Sequence, residues 1–132
     1  MRILITVSLA GLFIGCETAP VTAAHKPFPA RVTYYKKGED KYGSRIAIGG
    51  RAKEGVTCAA ERGFQFGRRL FIPALRGILG TGNFEVQDRG RAVQSRKASR
   101  GKLPVIDIYV ASRQKYNWII NHIKPILEVN PL

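Results

Sequence analysis

The sequence predicts an all-β (mainly β) domain, a small closed or nearly closed barrel with one late helix. Its apolar runs are short, as in Val56–Ala60, Leu70–Ile72 and Val105–Val110, and strand-length runs bounded by turn residues favour strands over helices. Glycines, 14 in 132 residues, recur between those runs and interrupt any long helix. Only the stretch from Ser112 to Ile120 carries a helical period.

Taken in order, residues 3–15 form an uncharged apolar stretch after Arg2, the length of a signal-peptide core and short for a bilayer span. Residues 1–24 are therefore expected to be an export leader, and two cleavage readings overlap. Cys16 after Ile14-Gly15 matches the acceptor cysteine of a bacterial lipoprotein, whereas Val21-Thr22-Ala23-Ala24 suits an ordinary cut at small residues. On the first reading Cys16 carries a lipid anchor; on the second it is discarded. Residues 25–30 read as a tether, and the folded domain is expected over 31–130.

Arg31-Val32-Thr33-Tyr34-Tyr35 is the first β-favouring run, ending at the polar segment Lys36–Asp40. Gly43, Gly49 and Gly50 then divide short apolar pieces. Val56–Ala60 is a strand, Leu70–Ile72 a second one stopped by Pro73, and Pro73–Leu79 a loop or a turn of helix. Gly80-Thr81-Gly82-Asn83 is a turn signal, after which Phe84–Gln87 alternates into Asp88. Residues 94–102 carry basic side chains and no acid, and read as a solvated excursion. Val105–Val110 resumes strand character around one charge, Asp107. In the helix, Ser112 is the expected N-cap and Tyr116, Ile119 and Ile120 the inward face. Ile123–Val129 is the last strand, with Pro125 at an edge or strand start.

Composition narrows the chemistry. Lys and Arg number 22 against 9 Asp and Glu, a net +13, and only Arg2 and Glu17 precede residue 25. Such a charge favours anionic partners: nucleic acid, acidic lipid or an anionic cell-wall polymer. Export argues against nucleic acid and leaves membrane contact to the possible lipid anchor. Past the leader Cys58 is the sole cysteine, so no disulfide staples the domain. His25 and His122 have no partner at ligand spacing, so no metal site and no cofactor is expected. Cys58, between Val56 and Ala59-Ala60, reads as a buried inert thiol.

Scarce acids make Asp88 and Asp107 conspicuous. A carboxylate inside an apolar strand must face a groove or be paired. Asp107 thus has two readings, a structural ion pair with one of the many arginines or a groove acid able to exchange a proton.

The runs Gly55-Val56-Thr57-Cys58-Ala59-Ala60-Glu61, Gly67 with Leu70-Phe71-Ile72-Pro73, Val86-Gln87-Asp88-Arg89-Gly90-Arg91-Ala92-Val93 and Ile106-Asp107-Ile108-Tyr109, in that order, resemble the three-aspartate (3D) domain. That domain occurs in cell-wall-acting proteins including the MltA-type lytic transglycosylases. Thr33-Tyr34-Tyr35 and Trp118 fall where the family has an opening strand and a helix aromatic, so the likeness spans residues 31–129. It implies a six-stranded double-psi β-barrel of RlpA/expansin type with one or two short helices, exported to the periplasm or cell envelope. It implies action on peptidoglycan glycan strands: lytic cleavage of the MurNAc-GlcNAc bond to leave 1,6-anhydromuramoyl ends, or glycan binding without cleavage. The three acids correspond to Glu61, Asp88 and Asp107, with Asp107 the catalytic acid, Asp88 supporting it, and Gly90, Arg91, Tyr35 and Tyr109 candidates for substrate contact. Four departures stand out: Glu61 for an aspartate, Arg62 for the proline after it, Arg89 and Arg91 for a threonine and a glycine, and a longer Asp88–Asp107 interval.

Overall fold

A computed structural model describes residues 26–36 and 45–132. Six strands, β1 (Phe28–Lys36), β2 (Thr57–Ala59), β3 (Arg69–Phe71), β4 (Asn83–Asp88), β5 (Val105–Val110) and β6 (Ile126–Pro131), close into a barrel in the order β1-β5-β2-β4-β3-β6. β1 with β5 and β2 with β4 are parallel, and the other neighbours antiparallel. This is the expected all-β class: a six-stranded mixed barrel with two short helices, α1 (Arg91–Gln94) and α2 (Arg113–His122). The architecture is consistent with a double-psi type of barrel.

Strand alternation sorts the side chains. Ile106, Ile108 and Val110 of β5 point inward with Val32, Cys58, Phe84, Val86, Leu127 and Val129, all buried in one core. The intervening Val105, Asp107 and Tyr109 therefore take the outer face. Closure removes the sheet edges, which suits a domain whose described residues contain a free cysteine and no disulfide. Gly82 turns the chain into β4 at φ +84°; a Cβ there would meet the Ile72 carbonyl at 2.9 Å.

Several boundaries differ from the sequence reading. β1 starts at Phe28 because β6 offers Phe28–Arg31 a partner; Pro29 is tolerated there because β5 joins β1 only from Arg31 onward. β6 starts at Ile126, since Ile123 still closes α2 through its N–H to the Ile119 carbonyl. Ser112 does cap α2, its hydroxyl accepting from the Lys115 N–H at 3.2 Å. Ile119 is buried and Tyr116 half-buried, but Ile120 is 50% exposed, because a short helix on a small barrel covers only a narrow stripe. Residues 91–102 form a folded lobe instead of a bare excursion: α1, then a single 3₁₀ turn at Lys97–Ser99, pinned by Val93 against Ala59 and Val105.

The Tyr34 and Tyr35 hydroxyls are buried without a hydrogen-bond partner among the described residues. Burial pushes the Tyr34 phenol from 10.0 up to about 12 against the opposing pull of Arg31. The folded state thus holds this proton more tightly than the unfolded chain. Stability is full below pH 10 and falls as pH rises towards 12. Melting temperatures recorded from pH 8 to 12 are expected to decline above pH 10, less steeply in Tyr34→Phe.

Candidate functional site

The site is built on Ala59. β2 lies between β4 and β5, and Ala59 is register partner to Asp88 on one side and Asp107 on the other. Directly opposed residues project from the same face, so both carboxylates flank a side chain no larger than a methyl group. With strands spaced at about 4.8 Å, their Cα atoms lie roughly 10 Å apart.

Asp88 reaches that face through an irregularity. Cys58 pairs with Val86, yet Ala59 pairs with Asp88, so Gln87 is passed over. Without this bulge Asp88 would share the inward direction of Phe84 and Val86 and enter the core. Its Oδ1 accepts from the Ala47 N–H at 3.0 Å and the Arg89 N–H at 2.9 Å. Gln87 is held aside: its Oε1 accepts from the buried Thr57 hydroxyl at 2.7 Å, and its amide donates to Glu85. Asp107 is half-buried on the outer face, its Oδ1 accepting from the Thr33 hydroxyl at 2.8 Å, with Thr33 its register partner in β1.

Asp88, Asp107 and Ala59 line a cleft of about 190 Å³ with Tyr35, Arg89 and Gly90. Burial, then the charges of Asp88 and Asp107, push the Tyr35 phenol well above the usual range, so it stays a neutral hydroxyl. Burial and the Asp107 charge also raise the Cys58 thiol, which stays un-ionised inside the barrel.

The remaining sequence candidates are placed elsewhere. Glu61 does not line this cleft: β2 ends at Ala59, and Glu61 turns away to a bidentate ion pair with Arg96, Nε to Oε2 at 2.8 Å and Nη2 to Oε1 at 2.7 Å. Tyr109 is 4% exposed and packs its ring 5.3 Å from that of Tyr35, behind the cleft. Arg91 is exposed in a shallow depression beside Gly90 and Gln94. Trp118 is exposed on α2, its ring stacked at 4.6 Å on His122. Cys16 and the leader lie outside the described residues.

Sequence reasoning missed three contributors. Thr33 is legible only once β1 is set beside β5. Arg89 donates through Nη1 to the Ala60 carbonyl at 3.1 Å and through Nη2 to the Phe64 carbonyl at 2.6 Å, tying the loop after β2 to the cleft wall. Its guanidinium lies 4.0 Å from the Phe66 ring centroid, holding an aromatic that is 46% exposed near the cleft. Arg89→Ala leaves two carbonyls without their charged donor and is expected to cost about 1–3 kcal/mol, read as a lowered melting temperature.

Among the described residues no group of three or more His, Cys, Asp or Glu is placed to hold a metal. The arrangement offers two carboxylates and an anchored guanidinium around a small opening, with the buried Tyr35 hydroxyl behind them, a set suited to proton exchange with a polar, hydroxyl-rich ligand. No protein-family model matches the chain, and a search of curated proteins finds no match.

Proposed function

We propose that this protein is an exported peptidoglycan lytic transglycosylase of the cell envelope, anchored through a lipid on Cys16 or soluble, with Asp107 as its acid and base. The observation that carries this reading is the placement of Asp107 and Asp88 on either side of Ala59, on the outer face and bordering one cleft. A mixed six-stranded barrel is compatible with such a module.

In this reaction the Asp107 carboxyl group gives its proton to the glycosidic oxygen as the bond from that oxygen to muramoyl C1 breaks. The carboxylate so formed takes the proton of the muramoyl C6 hydroxyl while O6 bonds to C1, closing the anhydro ring without consuming water. A single acid acts twice, unlike the carboxylate pairs of hydrolytic glycosidases. The Thr33 hydroxyl donates to Oδ1 of Asp107 and so fixes the direction of the carboxyl group on the outer face. Asp88, held by two backbone N–H groups, is a fixed acceptor for sugar hydroxyls. Phe66 replaces Tyr109 as the aromatic platform for a pyranose face.

A second reading, a wall-binding barrel that does not cleave, is favoured by the cleft volume of about 190 Å³, smaller than most small-molecule sites. The two readings separate when leaderless protein is incubated with purified peptidoglycan and the products are searched by mass for anhydromuramoyl ends. Those ends establish the enzyme. Sedimentation with the wall and no such ends establishes the binding module, and salt-sensitive DNA binding with no affinity for the wall sinks both.

A further inference from the structure

Between Asp88 and Asp107 the chain carries six Lys or Arg and no acid. Two of the six are engaged within the protein, Arg89 by the Ala60 and Phe64 carbonyls and Arg96 by Glu61. The other four, Arg91, Lys97, Arg100 and Lys102, are exposed, and among the described residues their side chains make no ion pair or hydrogen bond. Arg62 brings a further exposed cation to the same lobe, because its N–H donates to the Gln94 side chain at 3.2 Å.

The lobe holds these charges on a fixed frame. The Ser99 hydroxyl donates to the Leu103 carbonyl at 2.6 Å and accepts from the Leu103 N–H at 3.1 Å. The Arg100 N–H donates to the Lys97 carbonyl at 3.1 Å, which keeps those two Cα atoms within about 7 Å of each other. Arg96 and Arg100 stand at φ +53° and +54°, a left-handed region that glycine enters without a Cβ clash, and no other described residue except glycine does so. The ion pair with Glu61 accounts for an arginine at 96. Nothing among the described residues engages the Arg100 side chain, so the strain there points to a partner outside the chain.

The lobe's composition narrows that partner. Guanidinium groups grip phosphate oxygens through paired N–H donors. No aromatic residue stands between Asp88 and Asp107, so a nucleic-acid base finds no ring to stack on. The exposed large apolar side chains all lie elsewhere, so nothing here enters a bilayer. We propose that residues 91–102, with Arg62, dock a linear polyol phosphate polymer through its phosphodiester groups. Gly90 and Ala92 line the cleft, so the bound polymer runs beside Asp88 and Asp107. This docking needs no chemistry at Asp107.

Leaderless protein is titrated by calorimetry at low salt with a synthetic glycerol phosphate oligomer, and in parallel with a thymidine oligonucleotide and a glutamate peptide of matched charge. The glycerol phosphate oligomer is expected to bind most tightly, with an affinity that falls steeply as salt rises. Arg100→Gly removes a cation and the strained Cβ together, so its melting temperature is expected to hold or rise. Its affinity is expected to drop about three- to fivefold and its salt slope to lessen by about one. Adding Lys97→Ala is expected to bring the loss to about tenfold. Arg76→Ala, an equal loss of charge beside the start of β4 instead of its end, is expected to leave binding unaltered.

Wild-type affinity in folded Arg100→Gly, tighter binding of the oligonucleotide or the glutamate peptide, or preferential sedimentation with phosphatidylglycerol vesicles overturns the assignment. The oligomer contains no glycosidic bond, so Asp107→Asn is expected to bind it at least as tightly as wild type. Failure of the lobe and failure of the catalytic reading are thereby scored separately.

Discussion

Asp107→Asn is expected to abolish the release of anhydromuramoyl ends, a fall of about 10²–10⁴-fold, the usual contribution of a positioned general acid. The substitution is nearly isosteric, and the amide oxygen still accepts from the Thr33 hydroxyl, so the geometry around Ala59 survives. What disappears is the proton that must reach the glycosidic oxygen and the base that must then collect one from the C6 hydroxyl. Sedimentation with the wall is expected to stay near the wild-type level, because the proposed glycan contacts include Asp88, Tyr35 and Phe66 as well. Anhydro products at the wild-type rate from Asp107→Asn would remove the mechanism; loss of both cleavage and wall binding would show that the variant had damaged the cleft.

Phe84→Ala is expected to cost about 3–5 kcal/mol, the range for deleting a buried aromatic. Phe84 is 1% exposed in the barrel interior, paired with Leu70 across β3 and β4. A domain of this size has about 5–15 kcal/mol of stability in all, and here no disulfide limits the loss among the described residues. The melting temperature should fall by at least about 12 °C. Chemical denaturation followed by circular dichroism checks this: an unchanged midpoint would mean that the barrel interior does not bear the load that its packing implies.

How much of this was legible in the residues differs from element to element. The strand at Val105–Val110 was evident from its composition, and so was the tension of a carboxylate within it. Which parity faces inward was not evident, because Ile106-Ile108-Val110 and Val105-Asp107-Tyr109 are both largely apolar. Tyr109 was for that reason a plausible sugar platform, whereas in the structure it is buried against the Tyr35 ring. The short helix α1 left no periodic trace, since four residues complete barely one turn. Its Val93 became meaningful only against Ala59 and Val105. The resemblance read from the sequence grouped Asp88, Asp107 and Glu61; Asp88 and Asp107 line one cleft, whereas Glu61 turns away and pairs with Arg96.

Local chemistry by itself determined the all-β class, the main strands, the Ser112 cap and the two acids worth pursuing, because alternation, turn propensity and capping act over a few neighbouring residues. Tertiary structure decided the rest. Thr33 meets Asp107 across 74 residues of chain, and Asp88 arrives beside Ala59 only through a bulge that skips Gln87. Strand order, register and barrel closure are set by hydrogen bonds between distant segments and by which faces shed water together, and a one-residue slip in any of them would have sent these carboxylates into the core.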